Sequence, residues 1–495
     1  MIELLHTKRN RHIEYLLTES SKYDINSLQS YFPSIFSKHR YSKWQTFQLQ
    51  NEIIEIKNDT AVVKNNENGK TSKVPFFVKK IPIISLSENL CDHYPKTTQR
   101  INLFVPNSDS EEIKSLINKI NKLTNTAYVE STVALLLDSI SSPHFPKLYG
   151  IYNGISPEYE EIIRYSDYAE LEDVEFLETL CNQGYKIEKI DSETDTEDSE
   201  TYEDKTEVKT YEDKTDSETG KNPDDECKTE DSTDNETEEE DEDEEYKLTH
   251  PNIPVQILIT DKFDLNFDEM YQRILIRYDL PTRFPIIRKI RKKICEDRIT
   301  AWMFQILAGL SVANKNFNFV HNDLHVQNIM GKKTRQKYVR YVVGNQKFKV
   351  PTYGYILKII DFGRSSFVHN NKVYLSDIFD EDDEAGGQYD DVEPSSAFDV
   401  SRFACSFVED MIENRYSIMT TEIESPKASN PQNIFELLYN WTFSDCGETF
   451  LNEDGFDLYV KIANNFRTRT PISQIKTRVF SRFIDDNFKP TFYVL

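Results

Sequence analysis

Glycine is scarce in this chain: 14 residues in 495, with none between positions 47 and 63. A phosphate-cradling Gly-x-Gly-x-x-Gly loop is therefore excluded from that stretch. Cysteine is equally thin. Cys91, Cys181, Cys227, Cys295, Cys405 and Cys446 are scattered and never spaced as Cys-x-x-Cys. That pattern speaks for reduced intracellular thiols, against a zinc site or a disulfide frame. No run of 18 or more apolar residues occurs, so no membrane span and no membrane partner are expected. The opening segment, MIELLHTKRNRHIEYLL, lacks the apolar core of a signal peptide. These absences predict a soluble, intracellular protein.

What is abundant is negative charge, in one place. The chain carries a net −26, and the window Asp191–Glu245 holds 28 Asp and Glu against five Lys, a net of −23. The rest is left near neutral, at −3, so no direct nucleic-acid binding is expected of the folded part. The window is of low complexity, with Thr-Tyr-Glu-Asp-Lys-Thr at 201–206 and again at 210–215. It has too little apolar surface to offset the entropy of ordering, which predicts a disordered insertion. Such a tract offers a polyanion to a basic partner, or Ser and Thr among acids to a kinase; the plain alternative is a tolerated, solvated loop. A basic run of opposite sign, Arg288-Lys289-Ile290-Arg291-Lys292-Lys293, is a candidate dock for that tract or for an acidic substrate. A solvated helix face is the plain reading there too.

Hydrophobic periodicity orders the remainder. Residues 1–45 show mixed helical patterning. Ile53–Ile56, Ala61–Val63 and Val74–Val78 read as short strands, with the turn signal Asn68-Gly69 between the last two. Glu111–Leu123 and Tyr128–Ile140 read as amphipathic helices, Pro143–Tyr152 as extended, and Val255–Ile259 as a buried strand. Ile299, Met303, Ile306, Leu307 and Leu310 share one helical face. Tyr338–Val343 and Gln346–Val350 flank the hairpin signal Gly344-Asn345, Ile356–Ile360 reads as a strand, and the last hundred residues look mainly helical. Strands before about 262 and helices after it predict an α+β protein with a cleft between a sheet-rich and a helical part.

Two motifs carry chemistry. Residues 321–328 read His-Asn-Asp-Leu-His-Val-Gln-Asn, and Asp361-Phe362-Gly363 follows the strand Ile356–Ile360. An Asp five residues before an Asn, followed by a strand ending in Asp-Phe-Gly, is the layout of phosphoryl transfer from a nucleotide. One carboxylate accepts a hydroxyl proton, while an amide oxygen and a second carboxylate hold magnesium against phosphates.

On these motifs the chain resembles the protein-kinase-like superfamily, and within it the serine/threonine kinases of giant DNA viruses. The resemblance covers roughly 45–190 and 246–480. It implies a bilobal protein-kinase-like fold: an N-terminal extension over 1–45, a small β-rich N-lobe over 46–262 that contains the acidic insertion 191–245, and a larger, mainly helical C-lobe over 263–495. It implies ATP and Mg2+ as cofactors, Asp323 as catalytic base, and Asn328 and Asp361 as metal ligands. Lys79, in Phe-Phe-Val-Lys-Lys, matches the lysine that grips the α and β phosphates, with Lys80 on the opposite strand face. An exposed edge-strand lysine is the alternative. Glu130 is the chosen carboxylate partner for Lys79, with Glu111 and Glu112 as rivals. His321 and Asp399 match residues that brace the catalytic loop.

Four departures from the family pattern stand out. The glycine-rich flap is missing. Asn322 replaces the arginine that reads a phosphorylated activation loop, so that form of switching is not expected. His325 replaces the lysine two residues after the catalytic aspartate, and no Ala-Pro-Glu closes the activation segment, Glu393-Pro394 being at best a vestige. Three functions follow from the resemblance. The leading one is a Mg- and ATP-dependent kinase of serine and threonine hydroxyls in a protein substrate. The others are a pseudokinase used as a binding scaffold and a kinase of small molecules. If viral, such a protein acts in the host cytoplasm or the virion.

Overall fold

The structure is a computed structural model that describes residues 26–30, 49–57, 60–84, 86, 122, 124–140, 142–164, 174–190, 245–379, 387–389, 392–414, 416, 430–451, 453, 455–485 and 493–494. The acidic tract 191–244 lies outside the described residues, and so does the helix expected at Glu111–Leu123 apart from Lys122. The chain divides into two units, Met1–Pro157 with Asn252–Leu495, and Glu158–Pro251. The architecture is mixed α/β.

Seven strands form an antiparallel sheet. Strands β1 (Asn26–Ser30), β2 (Asn51–Lys57), β3 (Thr60–Asn65), β4 (Thr71–Pro82), β5 (Leu148–Arg164), β6 (Lys186–Lys189) and β7 (Glu245–Asp261) take the order β1-β5-β7-β4-β3-β2, with β6 on β7. The expected meander is present as β2–β3–β4. Ala61 and Val63 face inward on β3, as period-2 alternation requires. The side chain of Asn65 accepts the N–H groups of Glu67 and Asn68, and Gly69 takes a positive φ of 68°. Strand β4 runs longer than its apolar core Val74–Val78, because the ladder to β7 carries pairing from Phe76 to Pro82. Positions 26–30, read as part of a helical stretch, form a strand paired with β5.

Helix α1 (Thr126–Ser139) follows the sheet's first hairpins and is buried on nearly every side, Glu130 included. Asn125 caps it by accepting the N–H of Ala127. After β7 come β8 (Leu265–Asn266), α3 (Phe267–Asp279) and α4 (Pro285–Phe317), α2 (Val174–Asn182) having preceded β6. Phe267 of α3 packs on Trp302 of α4, and Phe304 packs on Tyr341 and Phe348. Helix α4 is buried all round from Ile299 to Ala313, and Asn318 ends it in the left-handed region at φ 46°.

Helices do not fill the remainder alone. Strands β9 (Ile329–Lys333), β10 (Tyr338–Val343), β11 (Gln346–Pro351), β12 (Tyr355–Ile359), β13 (Phe367–His369) and β14 (Lys372–Tyr374) form small sheets. The hairpin β10–β11 turns at Gly344, φ 59°, where the sequence signal placed it. Helices α5 (Ala397–Glu413), α6 (Ile434–Trp441), α7 (Gly455–Asn465) and α8 (Pro471–Ile475) follow, and β15 (Tyr493–Val494) pairs in parallel with β10. Cys295 and Cys405 are buried free thiols, and Cys181 and Cys446 exposed ones. No helix among the described residues is long and apolar enough to cross a membrane.

In the smaller unit, β6 pairs antiparallel with the start of β7, from Lys186–Thr249 to Lys189–Tyr246. The N–H of Ile190 donates to the carbonyl of Glu245 at 2.9 Å, so the two ends of the acidic tract lie side by side. The tract is thus an insertion into a hairpin.

Candidate functional site

Alternation along β4 puts Phe77 and Lys79 on one face and sends Lys80 away, where its ammonium donates to Ser156 Oγ at 3.1 Å. The Lys79 Nζ lies 2.7 Å from Glu130 Oε1 and 3.0 Å from Asp361 Oδ1. One cation from the sheet thus joins a carboxylate from α1 to the carboxylate after β12. Burial alone would weaken the hold of Lys79 on its proton; the charges of Glu130 and Asp361 outweigh it and raise its pKa. Burial pushes Glu130 up to about 7, opposed by Lys79 and by the N–H of Phe362. Burial also works against the charge of Asp361, but the Lys79 ammonium prevails and holds it below the usual carboxylate range. Asp361 is in the left-handed region at φ 65°, and buried Phe362 packs among the rings of Phe145, Phe319 and His321.

The loop after α4 is pinned from α5. The Asp399 carboxylate accepts the N–H of His321 at 2.9 Å and that of Asn322 at 3.0 Å, and burial pushes it up to about 7 against those bonds. The ring Nε2 of His321 meets the carbonyl of Ile360 at 2.8 Å, and burial lowers its pKa, which favours the neutral ring as donor. Asn322 does more than stand for a missing arginine. At φ 67° it occupies a conformation that Asn tolerates better than most residues. Its amide donates to the carbonyl of Arg364 at 2.8 Å and accepts the hydroxyl of Tyr389 at 2.6 Å.

Asp323 projects from this loop. Its Oδ1 accepts the Tyr459 hydroxyl at 2.6 Å; its Oδ2 lies 3.8 Å from Arg364 Nε and 4.0 Å from His325 Nε2. Burial lowers the pKa of His325. The Asn328 amide nitrogen is 2.8 Å from the Asp323 carbonyl and 2.9 Å from His325 Nε2. Both contacts use the nitrogen, which turns Oδ1 the other way. The Asn328 carbonyl also accepts the N–H of Ile360 at 3.0 Å, which ties it to the residue before Asp361. Asn328 Oδ1 and the Asp361 carboxylate are hard oxygen donors of the kind magnesium takes in small number, keeping waters for the rest. Among the described residues there is no group of three or more His, Cys, Asp and Glu that could hold a metal ion, so any metal here would rest on these two side chains and on non-protein ligands.

Two hollows meet these residues. A cavity of about 410 Å3 is lined by Lys79, Glu130 and Asp361 and by mostly apolar residues that include Phe77, Leu258 and Met330. A wider groove of about 870 Å3 runs beside Asp323, Arg364 and Tyr459, with Glu409, Glu413 and Glu453 along it. The five residues singled out by the sequence thus fall into two bonded groups, Lys79–Glu130–Asp361 and Asp323–Asn328. Glu111 and Glu112 lie outside the described residues. Tyr459, Arg364 and Phe77 escaped sequence reasoning. Tyr459 is 136 positions from Asp323, and no local spacing announces a contact at that range.

No family model matches the chain. Local similarity is present. Over 88 residues the chain is 36% identical to the serine/threonine-protein kinase haspin of Mus musculus, covering 18% of this chain and 12% of that protein. With haspin of Bos taurus it shares 33% over 105 residues, 21% of this chain and 13% of the bovine protein. With the uncharacterized protein 098R of Invertebrate iridescent virus 6 it shares 31% over 118 residues, 20% of each. The match spans about an eighth of the length of the mammalian kinases, so the relationship is kinase-like and local.

Proposed function

We propose that the chain transfers the terminal phosphoryl group of ATP to serine or threonine hydroxyls of a protein, on a two-lobed kinase-like frame. In this reading the sheet-rich lobe spans 46–262 and the helical lobe 263–495. The observation that carries it is the joining of Lys79, Glu130 and Asp361 in the lining of a mostly apolar cavity. Those charged groups fit phosphates, and the apolar walls fit a flat base.

Lys79, held in place by Glu130, draws phosphate oxygens into the cavity. Asp361 and the free oxygen of Asn328 would hold magnesium, which when bound supplies charge against the phosphates. Asp323 orients the acceptor hydroxyl and takes its proton through Oδ2, because Oδ1 is engaged by Tyr459. Asp399 and His321 keep the loop fixed, so the geometry exists before substrate arrives. Carboxylates along the groove beside Asp323 favour a cationic acceptor segment. The local similarity to a serine/threonine kinase supports the same reading.

The test is transfer of label from γ-labelled ATP with magnesium to mixed proteins and metabolites, by wild type and Asp323→Asn. Wild type is expected to label protein, and the variant to lose about 10^3-fold in rate with nucleotide affinity retained. Nucleotide binding without transfer would make the chain a binding module. Label confined to metabolites would make it a small-molecule kinase.

A further inference from the structure

The loop that carries Asp323 closes in a single 3-10 turn, Val326–Asn328, in which the N–H of Asn328 donates to the carbonyl of His325 at 3.1 Å. Such a turn sets side chains three positions apart on one side, and here those are His325 and Asn328. The Asn328 amide nitrogen lies 2.8 Å from the Asp323 carbonyl and 2.9 Å from His325 Nε2. A carbonyl oxygen can only accept, so the group facing it is the NH2 and not Oδ1. With one hydrogen on that carbonyl, the other falls to His325 Nε2. That nitrogen therefore accepts, carries a lone pair, and leaves the ring's proton on Nδ1. Asn328 Oδ1, at the far side of the same amide, meets no donor among the described residues. The ring also stays clear of Asp323 Oδ2, which is 4.0 Å from Nε2 and beyond hydrogen-bond range.

We infer that His325 is a positioning residue: its Nε2 lone pair fixes the rotation of the Asn328 amide and so presents Oδ1 as an oxygen ligand. The inference rests on the kinase-like reading, in which that oxygen holds a metal together with Asp361. Turning the amide over would set Oδ1 against two acceptors, the Asp323 carbonyl and Nε2, and offer the NH2 group to a cation. Without Nε2, only the carbonyl resists that turn. A lysine at 325 has three donors and no acceptor, so it cannot take the bond, and in the same place it would favour the reversed amide. The histidine thus does the opposite of the lysine it replaces. The ring is held for the task. The backbone at His325 is extended, at φ −123° and ψ 175°, and the next N–H, that of Val326, donates to Ser406 Oγ at 3.2 Å. Asp399 grips the start of the same loop through the N–H groups of His321 and Asn322. A side chain that holds a ligand in place sets how well it binds, and its loss commonly weakens metal affinity by on the order of 10- to 100-fold.

The experiment titrates Mn2+ into the full chain with ADP, read by electron paramagnetic resonance, and ADP without metal, read by calorimetry. The variants are His325→Gln, which keeps an acceptor at similar reach, His325→Lys and His325→Ala, with Asn328→Ala as reference. His325→Lys and His325→Ala are expected to weaken Mn2+ roughly tenfold or more and His325→Gln less than about threefold, all with metal-free ADP affinity unchanged. Nitrogen-15 NMR of the ring, assigned by its loss in His325→Gln, is expected to show a protonated Nδ1 and an unprotonated, hydrogen-bonded Nε2 before nucleotide or metal is added. Mn2+ affinity in His325→Lys equal to wild type overturns the proposal, and so does a ring protonated at Nε2. So does His325→Gln as weak as His325→Lys. Where His325→Ala does not fold, the comparison of Gln with Lys decides. If Asn328→Ala weakens Mn2+ and the His325 variants do not, the inference falls and the kinase-like reading stands. If wild type with ADP binds no Mn2+, that reading falls and takes the inference with it.

Discussion

The two carboxylate oxygens of Asp323 keep different company. Oδ1 receives the Tyr459 hydroxyl, and Oδ2 faces the groove with Arg364 and His325 about 4 Å away. Tyr459, itself under the Arg402 guanidinium, sets the carboxylate's rotation and leaves Oδ2 toward the groove. In the proposed reaction its role is positioning. If the proposed activity holds, Tyr459→Phe is expected to lower kcat about tenfold while leaving ATP affinity unchanged and lowering the melting temperature by a few degrees, since one hydrogen bond to a charged group is worth roughly 1.5–3 kcal/mol. Steady-state kinetics with a nucleotide-binding titration would check the split. Asp399 gives a pH signature. Its folded pKa of about 7 lies above the ordinary 3.8, so the folded state holds a proton there that the unfolded state has released. The stability this contributes is full at low pH and is lost as pH rises through about 7. The stability gap between wild type and Asp399→Asn is therefore expected to shrink by about 2–3 kcal/mol between pH 5 and pH 8, measured by denaturant unfolding.

Helix α1 presents Glu130 to Lys79, and its first turn is held from a distant segment. Asp377 Oδ1 accepts the N–H of Thr126 at 3.0 Å and its hydroxyl at 3.1 Å, and the N–H of Asp377 donates to the Thr124 carbonyl at 2.7 Å. A carboxylate at a helix N-terminus satisfies an orphan donor and complements the dipole. The segment after β14 thereby fixes the helix that positions Glu130. Asp377→Ala is expected to cost about 1–2 kcal/mol and to speed amide exchange at 126–129 more than at 136–139. Phosphoryl transfer, if the proposed activity holds, falls with it. Equal exchange along the helix would separate Asp377 from α1. The elements themselves were legible to differing degrees. Period-2 alternation located the β10–β11 hairpin nearly to the residue, because the turn residues Gly344-Asn345 bound it, but found only the apolar middles of β2 and β3, whose polar ends are drawn in by pairing. The length of β4 and β7 was hidden, since pairing with a neighbour extends a strand through residues such as Lys79 and Pro82 that have little strand preference of their own.

At the scale of the molecule, the acidic tract interrupts a hairpin whose strands are already paired at Lys189–Tyr246. Replacing 191–244 by Asn-Gly closes that hairpin with a short turn and removes most of the net charge. The melting temperature is expected to stay within about 2 °C of wild type or to rise, because a shorter loop costs less closure entropy and the self-repulsion is gone. A fall of more than about 5 °C in calorimetry would mean that the tract packs on the fold. The same substitution tests whether the tract tunes activity: an unchanged salt dependence of transfer would end the idea that it docks on a basic surface of this chain.

Local sequence determined the chemistry available to this protein. Asp323, Asn328 and Asp361 stand at spacings set by one loop and one strand, and a short stretch of backbone fixes such positions. Sequence also isolated the charge of the tract, which is a matter of composition. Only the tertiary structure decided that Glu130 meets Lys79, that Tyr459 takes one oxygen of Asp323, and that Asn322 braces the loop. Those contacts join residues 51, 136 and 42 positions apart, distances over which no periodicity operates. The basic run at 288–293 was visible as charge, but the isoleucines between and before those cations read as an ordinary helix. That they face water was decided by how the protein body packs against α4, which starts at Cys295 and leaves the first ten residues uncovered.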